Sequence, residues 1–103
     1  IEVLYYFHKV DKNKIILSAE HPRENPEWPK VGIFAQRKKA RPNLIGTTIV
    51  KLLKVDRKKI YIKSLDAING TPVLDIKPIF KEFLPIDEII QPRWVNELMK
   101  NYW

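Results

Sequence analysis

The chain opens on Ile1-Glu2-Val3-Leu4-Tyr5-Tyr6-Phe7-His8, a run in which β-prone, apolar side chains stand at both parities. Such a run reads as a strand covered on both faces, so the fold must build a sheet around its own start. A start in mid-strand, with no polar lead-in, also leads us to expect further residues before Ile1.

The rest of the chain continues in the same style. A second strand is expected at residues 15–18, after the turn-forming Asp11-Lys12-Asn13-Lys14, since Asp and Asn side chains favour turns. Residues 21–30 hold Pro22, Pro26 and Pro29 and read as an ordered loop with extended pieces. A strand is expected over 31–36, then a basic loop over 37–46. Residues 47–55 and 60–65 form a predicted hairpin with β-branched residues on both arms. Asn69-Gly70 gives a tight turn and 73–77 one more strand. Only the end changes period: Pro92 suits a first helical position, and Trp94, Val95, Leu98, Met99 and Tyr102 recur at helical spacing. That predicts a C-terminal helix of about ten residues. The expected fold class is therefore mainly β, a small β-barrel or strongly curved sheet with a C-terminal helix. The βαβ rhythm of a doubly wound sheet is not present.

At 103 residues the chain is one domain, able to bury ~60–65% of the surface it exposes when unfolded, enough for a single core. No apolar run approaches the ~20 residues of a membrane span, so no membrane partner is expected. Cysteine is absent, which rules out disulfides and thiolate metal sites and fits the cytosol. The two histidines, His8 and His21, lack metal-ligand spacing, and no metal site is expected. No G-x-G-x-x-G, P-loop, H-E-x-x-H or nucleophile elbow occurs, so nucleotide-cradling and hydrolytic chemistries have no support. The net charge of +7 is unevenly placed, with eleven Lys/Arg and one acid, Asp56, in residues 30–63. A basic middle between net-acidic flanks suits a polyanion, whose binding releases counterions. From charge alone, a lysine-rich solvated surface reads equally well.

Two stretches carry candidate chemistry. In Phe34-Ala35-Gln36-Arg37-Lys38-Lys39-Ala40-Arg41-Pro42-Asn43-Leu44-Ile45-Gly46, a strand delivers Arg37 to a turn that Pro42 stiffens. Gly46 permits an unusual φ or a close approach. Arginine in a rigid loop can grip carboxylate or phosphate through two bonds at once. In Leu65-Asp66-Ala67-Ile68-Asn69-Gly70-Thr71-Pro72-Val73-Leu74-Asp75-Ile76-Lys77-Pro78, Asp66 and Asn69 stand at a strand end where they could accept from ribose hydroxyls or an amino group. Asp75 and Lys77 share a face of the next strand. Spacing alone favours the plainer reading, a hairpin turn and a surface ion pair worth ~0–1 kcal/mol.

Both stretches closely resemble the signatures of the TsaA-like, or TrmO, family of tRNA methyltransferases, approximately F-A-T-R-S-x-x-R-P-N-P-I-G and D-x-x-D-G-T-P-V-L-D-I-K-P. Phe34, Ala35, Arg37, Arg41, Pro42, Asn43, Ile45 and Gly46 fit the first, and Asp66, Gly70 to Asp75 and Ile76 to Pro78 fit the second. The likeness extends to Tyr5–His8 and to His21-Pro22-Arg23. Gln36, Lys38, Leu44 and Asn69 depart from the pattern, which has Thr, Ser, Pro and an acid there.

The resemblance implies one domain over residues 1–103, N-terminally incomplete because the family carries a preceding segment with further cofactor contacts. It implies a homodimer that uses S-adenosyl-L-methionine, with a cofactor pocket lined by His8, Lys9, Arg37, Thr47, Asp66, Ala67, Ile68 and Asn69. The expected reaction is N-methylation of threonylcarbamoyl-adenosine beside the tRNA anticodon, and no residue stands out as its proton acceptor. The alternative is a cofactor-binding module that methylates a small molecule or only senses the cofactor. Arg37 could hold the cofactor's carboxylate and Asp66 its ammonium or sulfonium. Lys38, Lys39, Arg41 and Asn43 are the expected tRNA-binding residues. The apolar opening strand and the tail Asn101-Tyr102-Trp103 offer surface for self-association.

Overall fold

A computed structural model describes residues 1–102. Trp103, the last residue of the aromatic tail, lies outside the described residues. The elements are β1 (Glu2–Tyr6), β2 (Ala19–Glu20), β3 (Val31–Gly32), β4 (Ile45–Ile49), β5 (Lys51–Asp56), β6 (Lys59–Lys63), β7 (Val73–Lys77) and α1 (Arg93–Leu98), joined by several 3-10 turns. The mainly β character is as expected.

The strands form three separate antiparallel sheets, β4-β1-β7, β2-β3 and β5-β6. Among the described residues no closed barrel forms, which corrects half of the expected architecture. Closure requires each strand to pair on both edges, whereas β5 and β6 pair only with each other. The change of partner falls at Val50, which makes the last rung against β1. Its backbone N–H donates to the Ile1 carbonyl at 2.8 Å and its own carbonyl accepts from Ile1 at 3.1 Å. With its side chain buried as well, Val50 ends β4 against the start of β1. The expected continuous strand over 47–55 is therefore two strands in different ladders.

In β1 the odd side chains point into the core. Val3 and Tyr5 are buried together with Val50, and Ile1, Phe7, Ile62, Leu65 and Ala67 pack around them. The even side chains of Glu2, Leu4 and Tyr6 are only half-buried, so β1 has one covered face rather than the two expected.

Three further boundaries differ from expectation. Residues 15–18 are not a strand: the Ile16 N–H goes to the Ala40 carbonyl at 2.9 Å and the Ser18 carbonyl accepts from Ile33 at 2.9 Å, single ties rather than a ladder. Pairing starts one residue later, at Ala19. The expected strand over 31–36 stops at Gly32, because Ile33–Ala35 winds into a 3-10 turn that buries Ile33. The C-terminal helix spans six residues, with Pro92 as its N-cap instead of its first residue. Looser turns continue it, the Tyr102 N–H reaching the Met99 carbonyl at 3.1 Å.

Candidate functional site

The central strand β1 gathers the two signature loops at one end. The register sets Tyr6 opposite Ile45 and Tyr5 opposite both Gly46 and Val73. Just past the ladder, the Phe7 N–H donates to the Leu44 carbonyl at 2.8 Å, and the Tyr6 N–H to the Pro72 carbonyl at 3.0 Å. The last residue before β4 and the last before β7 are thus tied to successive residues of the first strand. Phe7, His8 and Lys9 leave the sheet at that point.

Gly46 is required there for space. A Cβ on it would stand 2.5 Å from Cε2 of Tyr5 and 2.6 Å from Cζ of Phe7. These two rings meet edge to face, with centroids 5.6 Å apart and planes at 85°, an arrangement the aromatic quadrupole favours. Of the two roles the sequence left open for this glycine, close approach is the one it fills.

The Tyr5 hydroxyl links the core to the second loop. It shares a 2.7 Å hydrogen bond with Oγ1 of buried Thr48 and donates to the Asp66 carbonyl at 2.9 Å. The turn that follows is closed by Thr71, whose N–H and hydroxyl both donate to the Ile68 carbonyl, at 3.2 and 2.7 Å. Gly70 takes φ +87°, a left-handed conformation that costs glycine least.

Between these parts lies a cavity of about 370 Å³, at the small end of the ~300–1,000 Å³ usual for ligand pockets. His8, Lys9, Asp66, Ala67 and Ile68, all expected in a cofactor pocket, line it, and so does Lys39 from the basic loop. Phe7, Leu65 and Thr71 complete the wall. Sequence reasoning missed these three, although each adjoins or closes a segment that it had singled out.

The other expected pocket residues stand off the wall. Arg37 donates through Nη2 to the Thr47 carbonyl at 3.0 Å, and the Thr47 hydroxyl donates to Oε1 of Glu2 at 2.8 Å. Asn69 is exposed in its turn. The expected tRNA-binding residues separate similarly. Lys38 forms an ion pair with Glu20, and burial lowers its pKa from the ordinary lysine value. Arg41 donates to the carbonyls of Gln36 and Ile33 and stacks over Phe34, 5.4 Å from the ring centroid. Asn43 accepts the Ile45 N–H through its side chain at 3.2 Å, closing a local turn. The basic middle of the chain divides between this loop and the exposed β5-β6 ladder, where Lys54 lies 4.5 Å over the ring of Tyr61.

One contact at the cavity comes from the far end of the chain. The Tyr102 hydroxyl donates to Oδ2 of Asp66, and this bond, with some burial, pushes the phenol up to about 12. Arg37 and Tyr5 also act electrostatically on that hydroxyl, so Arg37 belongs to the same neighbourhood without lining the cavity. Among the described residues no group of three His, Asp or Glu side chains is placed to hold a metal ion, and no helix is long and apolar enough to cross a membrane.

Comparison with known proteins bears on this geometry. The profile of the family described as "tRNA-methyltransferase O N-terminal domain" matches residues 1–84. A Homo sapiens protein named "tRNA (adenine(37)-N6)-methyltransferase" is 40% identical over 90 residues, which span 87% of this chain but 20% of that protein. A Methanocaldococcus jannaschii protein named "Probable S-adenosyl-L-methionine-binding protein" is 47% identical over 92 residues, 86% of this chain and 71% of its own length. A Pyrococcus horikoshii protein of the same description is 45% identical over 84 residues, 80% of this chain and 58% of its own length.

Proposed function

This chain belongs to the tRNA-methyltransferase O N-terminal domain family, and on that premise we propose that it binds S-adenosyl-L-methionine in the β1-end cavity and methylates tRNA. The observation that carries the proposal is the convergence of both signature loops on one cavity, lined by Lys39 from the first, Asp66, Ala67 and Ile68 from the second, and His8 and Lys9 from the end of β1. The names of the human and archaeal relatives support the cofactor and the acceptor. The chain spans a fifth of the human methyltransferase, so the activity of the whole protein is part of the proposal.

The residues present fit the cofactor's chemistry. Asp66 offers a carboxylate for a cation or for vicinal hydroxyls, and the backbone of Ala67 and Ile68 can read the edge of a purine. Arg37 has five N–H donors, one of them directed to Thr47, and is our candidate for the cofactor's carboxylate. When bound, S-adenosyl-L-methionine supplies an activated methyl group on a sulfonium. The chain's part is to align the acceptor amine for in-line attack, and alignment alone can supply ~7–11 kcal/mol of barrier lowering. Lys39, on the cavity wall, is placed to hold an RNA phosphate beside the reacting centre. We assign the acceptor as the exocyclic nitrogen of threonylcarbamoyl-adenosine beside the anticodon, methylated in the cytosol.

A homodimer belongs to the same proposal. Leu52, Leu53, Val55 and Ile60 of the β5-β6 ladder are 44–63% exposed, and an isolated two-stranded hairpin is only marginally stable in water. A second copy, or a chain segment preceding Ile1, would cover it.

A second reading is favoured by relative length. The chain covers 71% and 58% of two archaeal proteins named only for cofactor binding, against 20% of the human enzyme. In that reading the cavity senses the cofactor or serves a small acceptor. The deciding experiment incubates the full-length protein with methyl-labelled cofactor and total tRNA from cells lacking it. Label in threonylcarbamoyl-adenosine is the expected result, and label-free tRNA with intact cofactor binding would establish the second reading. Sedimentation of the same protein at tens of micromolar checks the dimer, which a monomer would exclude.

A further inference from the structure

The family profile ends at residue 84, yet the segment beyond it returns to the cavity. Two side-chain hydrogen bonds bring it back. Glu97, on α1, accepts from Nε1 of Trp28 at 2.6 Å through Oε2, which ties the helix to the proline-rich loop. One turn further on, the Tyr102 hydroxyl donates to Oδ2 of Asp66. These bonds span sequence separations of 69 and 36 residues. Neither is a product of local chain geometry.

We infer that Tyr102 is a positioning residue for the cofactor pocket, its hydroxyl fixing the Asp66 carboxylate in the orientation that receives the ligand. The inference rests on the cofactor reading above. Asp66 lines the cavity but is itself exposed on a turn, so its carboxylate would otherwise sample several rotamers, and binding would have to overcome that freedom. A carboxylate has about four acceptor positions, so one bond from Tyr102 to Oδ2 leaves Oδ1 and the remaining lone pair for ligand donors. The backbone of the same residue is already held by the Tyr5 hydroxyl at 2.9 Å. Main chain and side chain of Asp66 are thus each gripped by a tyrosine, one from the core and one from the tail. Tyr102 itself is 37% exposed and does not line the cavity, so it acts on the ligand only through Asp66.

The test uses the whole chain and three variants: Tyr102→Phe, Asp66→Asn and the double replacement. Tyr102→Phe keeps the ring and its packing and removes only the hydroxyl. Calorimetry with S-adenosyl-L-methionine should show affinity reduced about three- to tenfold in Tyr102→Phe, and reduced in Asp66→Asn. The double variant should lose no more than Asp66→Asn alone, a coupling that a merely structural tail would not produce. Phenolate absorbance supplies an independent reading. The difference titration between parent and Tyr102→Phe should place the Tyr102 phenol near 12, and in Asp66→Asn it should fall toward the ordinary value. A parent that binds the cofactor, together with a Tyr102→Phe variant of equal or higher affinity, would overturn the positioning role. Losses that simply add in the double variant would overturn it too. A parent that fails to bind, with the phenol titration as expected, would instead overturn the cofactor reading and leave the contact standing without its ligand role.

Discussion

Gly46 lies against ring atoms of Tyr5 and Phe7, which leave no room for a methyl group: an added Cβ would meet Tyr5 at 2.5 Å. Both neighbours are aromatic rings packed on each other, and neither can swing aside as a flexible chain end would. Gly46→Ala should therefore destabilise the domain by ~1–3 kcal/mol, the usual cost of overpacking. It should also displace Phe7 from the cavity wall and weaken cofactor binding. Urea denaturation and calorimetry check the two effects, and an unchanged midpoint would show that the rings yield.

Tyr5→Phe removes one hydroxyl that serves two partners, the buried Thr48 hydroxyl and the Asp66 carbonyl. Leaving a buried polar group unpaired costs ~1–3 kcal/mol. The expected result is a loss in that range, with faster amide exchange over residues 66–71. Loss of stability without faster exchange would mean that Thr71 alone holds the turn.

Leu44 is buried with φ at +56°, and its N–H donates to the Arg41 carbonyl at 3.1 Å. The signature that this loop resembles has proline there, and proline can adopt neither that φ nor that bond. Leu44→Pro should thus cost about 2–3 kcal/mol, even though it brings the sequence nearer to the pattern. A neutral or stabilising result in thermal unfolding would show that the loop can adopt the proline-bearing conformation.

Lys38 and Lys39 are adjacent but should behave differently. Lys39 is exposed on the cavity wall, whereas Lys38 is paired with Glu20 and partly buried. Lys39→Ala should lower the salt slope of tRNA binding by roughly 0.7–0.9 per lost phosphate contact. Lys38→Ala should leave that slope alone and act on stability, because Glu20 loses its partner. Filter binding across a salt series separates them, and equal slopes for parent and Lys39→Ala would take this lysine off the RNA path.

The sequence carried the strands well where the pattern is local and periodic. Val73–Lys77 lies where it was expected, and the Asp75–Lys77 pair on its shared face forms at 2.7 Å. It carried the ladders poorly, because where a strand ends depends on distant partners. Up to Val50 the run over 47–55 pairs with the first strand, and beyond it with β6, a change of partner that no local pattern encodes. Within the cavity, the wall residues that were foreseen adjoin the signatures. The departures from the signature could not be read in advance, and two of them prove to have side-chain partners. The Gln36 amide donates to the carbonyls of Glu20 and Val31 at 3.0 and 3.1 Å, and Lys38 pairs with the Glu20 side chain. Both moor the basic loop to the β2-β3 ladder. Tyr102 was legible as a helical-face residue, but its bond to Asp66 was not, since no periodicity predicts a contact across 36 residues.

The position of β1 also bears on how the chain finds its shape. Glu2 pairs with Ile49 on one side and Lys77 on the other, so the central strand has no partner close to it along the chain. The β5-β6 hairpin can close on itself in about 1–10 μs, whereas the sheet that frames the cavity must first pay for two long loops. The central strand is therefore completed late, and the cavity at its end forms in the same step. Pulse-labelled hydrogen exchange during refolding should protect the amides of Val3 and Tyr5 no earlier than those of β7. Until that step the opening hydrophobic run is an unpaired strand with two bare edges, the form in which a β-rich chain is most exposed to pairing with a neighbour.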